Sequence, residues 1–386
     1  MRRASACACC ASPRAEAREA ACAGYHAADC TSAYRTRPTP SRILPSFLPA
    51  IARSLGGGPG EQWAAAPIPT AIAVTSHTVF DLPSDFATRQ QSSTATVDHA
   101  AIDLPGVSLG CFAGLDAVLV ETAHATAAVA VFGGQVLSYV PRGGRDVLWL
   151  SPLRAELPTP VRGGVPVCWP FFGRQGQGDH LPSHGFARTL PWRLAEARAA
   201  GDGITLVLEL PALQGLGLQL RTEVHVGRQL RQALVTRNTG TAPGAFTEAL
   251  HNYFAVSDVD RVRVEGVAGL TYLDKNDGGR PHLQHGDWTL ADPRDPGRSD
   301  RTYPGAGGSY RIVDPGLGRA VRLDVQGGRS VVVWNPGEAG AAKMADVGPH
   351  WPGFLCVEAA NAGPDLVELA PGQEHALVQA VSVEAL

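Results

Sequence analysis

"LGLQLRTEVHV", residues 216–226, carries the pattern that decides the fold. Leu218, Leu220, Thr222, Val224 and Val226 occupy every second position, with Gln219, Arg221, Glu223 and His225 between them. Side chains of a strand point alternately to opposite faces, so this period of two predicts a strand with one buried face. Working outward, "DAVLVETA" (116–123), "AAVAVFGG" (127–134), "ITLVLELP" (204–211) and "QLRQALVTRN" (229–238) are further short apolar runs that end in polar residues or Gly. "AVRLDV" (320–325), "SVVVW" (330–334) and "HALVQAVSV" (375–383) continue the series. The 44 Gly and 30 Pro exceed what helical proteins tolerate, and no long segment repeats at 3.6 residues. Many short strands with Gly/Pro punctuation predict an all-β antiparallel sandwich or barrel in one domain.

The chain has 386 residues, of which 44% are hydrophobic, enough for a sizeable core. Residues 1–100 read differently from the rest. They are rich in Ala, Arg, Pro, Ser and Thr, with "SLGGGPGEQ" (54–62) as a joint and "TRQQSSTATVDH" (88–99) as a polar tract. They are expected to form a disordered extension, by a start-site error or as a regulatory tail, and 101–386 to form the folded domain. The net charge of -3 argues against nucleic acid or an anionic membrane as partner. Lys275 and Lys343 are the only lysines among 33 basic residues, a bias that fits GC-rich coding. Five cysteines (7, 9, 10, 22 and 30) lie in the first 30 residues without zinc-site spacing; Cys111, Cys168 and Cys356 read as buried thiols. No apolar run reaches the 18 residues of a membrane span, and no apolar stretch follows Arg2 and Arg3 as in a secretory signal, so a cytoplasmic protein is expected.

Four blocks break the strand rhythm. In "PVRGGVPVCWPFFG" (160–173), Arg162 precedes Gly163 and Gly164, which could bring backbone close to a ligand, and Trp169, Phe171 and Phe172 could wall a pocket. In "LPSHGFAR" (181–188), Pro182 and Gly185 disfavour a helix, so His184 and Arg188 are expected on irregular backbone. In "EALHNYFAVSD" (248–258), His251 lies in an apolar–aromatic segment that would lower its proton affinity. In "FLCVEAAN" (354–361), Glu358 ends an apolar run, where a carboxylate is costly unless paired or pointed into a cleft. Taken alone, His251 could be a satisfied core histidine and Glu358 an arginine's partner. Together they offer a proton donor and acceptor in contrasting environments. "HLQH" (282–285) reads as a solvated loop. "GRQGQG" (173–178) lacks the Lys and Ser/Thr of a phosphate loop, and no Gly-x-Ser-x-Gly elbow supports serine hydrolysis. His180 and His184, four apart across Pro182, do not make a helical metal pair.

"GGQVLSYVPRGGRDVLWLSP" (133–152), "YLDK" (272–275), "SDRTY" (299–303), "VVWNP" (332–336) and "KMAD" (343–346) join these blocks in a resemblance that covers roughly residues 115–386. In that order they resemble the glucose-6-phosphate 1-epimerase branch of the aldose 1-epimerase (mutarotase) family. The resemblance implies a galactose-mutarotase-like β-supersandwich. It makes His251 and Glu358 the catalytic pair and matches Arg162, Arg188 and Asp300 to sugar-phosphate-binding positions. It also places His184 beside the sugar. Ser183 departs from the family, which often has Gln there, and a shorter side chain could lose a substrate contact. The activity implied is interconversion of the α and β anomers of a hexose 6-phosphate, with neither metal nor cofactor, by a monomer whose partner is the small sugar phosphate. The competing expectations are a non-catalytic sugar-phosphate-binding protein and a mutarotase of unphosphorylated aldoses.

Overall fold

The computed structural model describes Phe86 and residues 103–174, 180–294 and 296–386. The expected extension over 1–100, Phe86 excepted, and most of "GRQGQG" lie outside the described residues.

The strand pattern read from the sequence is present throughout, in antiparallel sheets. The first has four strands in the order β1 (Val107–Phe112), β2 (Leu115–Glu121), β3 (Ala125–Ala130) and β4 (Val136–Pro141). The second has eight. It runs from β15 (Arg280–Leu283) through β14 (Thr271–Asp274), β16 (Ser299–Pro304), β19 (Ser330–Asn335), β20 (Phe354–Asn361) and β11 (Glu248–Leu250) to β5 (Val167–Cys168). Its eighth strand, β12 (Tyr253–Ala255), also pairs with β20. The third runs from β13 (Arg263–Glu265) through β17 (Ser309–Asp314), β18 (Arg319–Gln326) and β22 (Glu374–Ala385) to β9 (Leu230–Asn238). It continues through β8 (Leu218–Val226) and β7 (Gly203–Glu209) to β6 (Arg193–Ala200). A two-stranded ribbon joins β10 (Gly244–Phe246) to β21 (Val367–Leu369), and a short helix, α1 (Gly337–Ala341), precedes β20.

The opening stretch is β8, and its alternate residues from Leu218 to Val226 are at most 3% exposed. Leu218, Leu220, Val224 and Val226 share one hydrophobic cluster with Val331, Val333, Leu355, Val357 and Ala359 of the second sheet, so these two sheets bury their inner faces against each other. Burying each such aliphatic side chain stabilises by about 1.5–3 kcal/mol. Polar contacts cross the same interior. Trp169 Nε1 donates to Thr236 Oγ1 at 3.0 Å, and Asn252 and Gln379 exchange amide hydrogen bonds at 2.7 and 2.9 Å. Trp169 and Phe171 are therefore core residues, and Phe172 alone of that run reaches the outer face.

Several local expectations are corrected. Cys168 and Cys356 are buried, but Cys111 is exposed, because edge strand β1 turns it to solvent. His282 and Leu283 belong to β15, and Gln284 is buried, accepting hydrogen bonds from Arg301 and Tyr303. Gly163 and Gly164 pack tightly against neighbouring chain. Both have positive φ, and a Cβ would strike the backbone at Trp149–Leu150 and at Val136. They are required by neighbouring chain segments. No helix among the described residues is long and apolar enough to cross a membrane.

Candidate active site

The outer face of the second sheet carries the chemistry, and strand parity puts it there. In β20, Leu355, Val357 and Ala359 enter the core, so Cys356, Glu358 and Ala360 face outward. Glu358 is thus mid-strand, not at a strand end as its apolar run suggests. The same alternation turns Val332 and Trp334 of β19 and Asp300 of β16 to that face. Register aligns them: Asp300 opposes Trp334, Trp334 opposes Cys356, and Cys356 opposes Tyr253. One row along, Thr302 opposes Val332, which opposes Glu358.

His251 follows β11 and shares this face with Tyr253. Between them Asn252 turns inward, held by Gln379 from the opposite sheet and donating to the Val357 carbonyl at 3.0 Å. His251 N–H donates to Pro166 O at 3.0 Å. The imidazole stacks on Tyr253 with ring centroids 4.8 Å apart and meets Trp334 edge-on at 5.9 Å. Its Nδ1 lies 3.4 Å from Glu358 Oε1, with the two side chains 9% and 1% exposed.

Burial pushes the Glu358 carboxyl well above the ordinary range; Asp300 reinforces this, and Lys275 and Arg188 oppose it. Burial and the charges of Arg162, Arg188 and Lys275 hold the His251 imidazole well below its ordinary value. Both partners are driven toward their neutral forms while their side chains lie in contact. Buried polar atoms lacking a hydrogen-bond partner include His251 Nδ1, Glu358 Oε2 and Arg188 Nε. Such atoms cost about 1–3 kcal/mol each.

"LPSHGFAR" borders this pair. His184 adopts φ +65°, unusual for a residue with a side chain, and its ring lies 5.7 Å from that of His251. Gly173 N–H donates to His184 Nδ1 at 3.3 Å, which leaves the proton of the neutral ring on Nε2. Gly185 follows at φ +72°, where a Cβ would strike Trp169 backbone, so the loop is pressed against the sheet. Arg188 is half-buried and donates to the Ser183 carbonyl at 2.7 Å. Ser183 therefore serves Arg188 through its backbone. Arg162 donates through Nε to Asp346 at 2.9 Å and through Nη1 to Tyr253 OH at 2.8 Å. Burial works against its charge, but Tyr253 and Asp346 outweigh it and hold the guanidinium above its ordinary value.

His251, Glu358, His184, Arg188, Arg162 and Asp300 are thus brought to one face from five separate segments. Tyr253, Asp346, Trp334 and Lys275 also belong to the site and were not singled out from the sequence as site residues. All four stood inside quoted blocks, but only cross-strand register brings Trp334 beside Tyr253 and His251, and only a side-chain hydrogen bond joins Asp346 to Arg162. Lys275 Nζ lies 3.4 Å from Asp300 Oδ1 and 5.2 Å from the centre of the Phe172 ring. Among the described residues, no three His, Cys, Asp or Glu side chains gather as a metal site. A groove of about 450 Å³ lies elsewhere, over Arg193, Glu209 and Arg221, but it has no histidine and pairs Arg193 with Glu209 and Arg221 with Glu374.

The packed antiparallel sheets, with a buried His–Glu contact on one outer face, have the galactose-mutarotase-like fold. The crystal structure of a Salmonella typhimurium protein described as a "putative mutarotase" matches at TM-score 0.66 and 31% identity, covering 74% of this chain and 95% of that one. The aldose 1-epimerase family model matches residues 116–382, and the chain belongs to that family. Two relatives carry the name "putative glucose-6-phosphate 1-epimerase". The Escherichia coli K12 protein is 36% identical over 261 residues, 64% of this chain and 84% of that protein. The Cenchrus ciliaris protein is 32% identical over 280 residues, 68% and 82% of the two chains.

Proposed function

We propose that the chain interconverts the α and β anomers of D-glucose 6-phosphate or a related hexose 6-phosphate, with His251 as acid and Glu358 as base. The observation that carries this reading is the buried 3.4 Å contact between them, on a face that also gathers Arg162 and Arg188. The names of the relatives support the same substrate class.

A proton passing from Glu358 to His251 Nδ1 leaves the pair's total charge unchanged and creates the reactive state, imidazolium beside carboxylate. Glu358 then removes the proton of the C1 hydroxyl while His251 Nε2–H protonates the ring oxygen. The C1–O5 bond breaks and C1 becomes the aldehyde. After rotation about C1–C2, Glu358 returns its proton to the aldehyde oxygen. His251 removes the proton from the C5 hydroxyl as O5 attacks C1. The two groups regain their starting states with no net consumption. Positioned proton transfer of this kind contributes roughly 10²–10⁴-fold.

Arg188, with buried unpaired Nε, and Arg162, braced by Asp346 and Tyr253, are the proposed phosphate-binding cations. A bound phosphate dianion would offset the field that disfavours the imidazolium, so the substrate's charge assists its own acid. His184 and Asp300 are assigned to the sugar, and Ser183 to holding Arg188.

Anomer exchange of glucose 6-phosphate, followed by NMR, tests the proposal. Acceleration over buffer is expected, with His251→Ala and Glu358→Gln each losing at least 100-fold. Tight binding without acceleration would leave the non-catalytic binding protein as the reading. Faster exchange of glucose than of its 6-phosphate would favour the mutarotase of unphosphorylated aldoses.

A further inference from the structure

Only two of the 33 basic residues of this chain are lysines, and one of them, Lys275, stands at the active face. It follows β14 in a short 3₁₀ turn, Lys275–Asp277, whose start is capped by Asp274 Oδ1 accepting from Asn276 N–H at 2.8 Å. The turn carries the side chain over the Phe172 ring and brings the ammonium to Asp300. The two side chains are 49% and 25% exposed, so both can meet a ligand. Their charges reach the proposed base: Lys275 and Asp300 shift the Glu358 carboxyl in opposite directions.

A surface ion pair is worth little to stability, about 0–1 kcal/mol, which does not account for a Lys in a chain that otherwise uses Arg. A compact ammonium beside a carboxylate has a different use. The carboxylate accepts from one hydroxyl and the ammonium donates to the next, which suits two neighbouring hydroxyls on a ring.

Strand order supplies the orientation. The face runs from β16, with Asp300, through β19 to β20, with Glu358, and on to His251 after β11. If His251 serves the ring oxygen and Glu358 the C1 hydroxyl, the next atoms around the sugar are C2 and C3, on the side of Asp300 and Lys275. The ring oxygen's other neighbour, C5, carries the phosphorylated C6 toward the side where Arg162 contacts Tyr253. A phosphate at Lys275 would instead confront the Asp300 carboxylate. We infer that Lys275 and Asp300 form a diol-reading pair that binds the C2 and C3 hydroxyls of the hexose.

This inference rests on the proposed acid and base assignments, so its test reads binding, not turnover. Dissociation constants of the full chain and of Lys275→Met are measured by calorimetry for glucose 6-phosphate, its 2-deoxy and 3-deoxy analogues, and glucose. The variant is expected to weaken glucose 6-phosphate and glucose by the same factor, roughly tenfold. For at least one deoxy analogue the loss should fall below twofold, because the contact is already absent. Equal losses for all four ligands, or no loss, would overturn the inference. Losses confined to the phosphorylated sugars would also overturn it and make Lys275 a phosphate ligand. Failure of wild-type protein to bind any of them would overturn it as well. Binding with the expected pattern but no anomer exchange would refute the proposed function and leave the diol pair standing.

Discussion

Glu358 illustrates at the residue scale how a site costs stability. Its carboxyl pKa is raised in the folded protein by burial, with Asp300 adding to the shift. Above the ordinary value of 4.5 the unfolded chain ionises while the folded one resists, so the unfolded state gains. The penalty begins near pH 4.5, grows as pH rises through the folded pKa, and is absent below. Glu358→Gln should therefore melt at a higher temperature than wild type at pH 8, with a gap that closes toward pH 4.5. A gap independent of pH, measured by thermal melts across that range, would contradict the direction of the shift. Arg188 makes a second test at this scale. Arg188→Ala should raise KM for glucose 6-phosphate at least tenfold more than for glucose, since the proposed charge-assisted bonds to phosphate would be lost. Equal effects on both sugars would make the arginine structural.

At the scale of elements, the step from β11 to β12 sets the imidazole. Asn252 breaks the strand by turning inward, and its exchange with Gln379 ties that break to β22 of the opposite sheet. Asn252→Ala leaves the buried Gln379 Oε1 without its donor, at about 1–3 kcal/mol. The double variant with Gln379→Ala should cost less than the two single changes summed, because the partners are in direct contact. Denaturant unfolding of the four proteins gives the coupling, and additive losses would show that the two amides do not act as a pair. The histidine's place was not legible in "LHNYF", because the residue that fixes it is 127 positions away.

At the scale of the whole molecule, one residue far upstream in the chain reaches the core. Phe86, within the stretch expected to be an extension, is 3% exposed and packs on Phe186 with ring centroids 5.0 Å apart. Phe186 follows His184 and Gly185 in the loop beside the site. Phe86→Ala in the full chain should cost roughly 3 kcal/mol, the usual range for a buried aromatic. A change below about 0.5 kcal/mol in denaturant unfolding would show that the contact carries no stability.

The sequence by itself determined the strand character and the all-β antiparallel class, and it singled out the histidine and glutamate of the proposed acid and base. Period-two alternation and apolar runs around His251 and Glu358 are local properties, written within ten residues. Only the tertiary structure decided which strands lie side by side, and hence that Asp300, Trp334, Cys356 and Tyr253 form one row. It showed that neighbouring backbone requires Gly163 and Gly164. It gave Arg162 its partners Asp346 and Tyr253 and placed Lys275 beside Asp300. Register and side-chain pairing join residues far apart along the chain, and their energies depend on burial that exists only once both sheets have closed on the core.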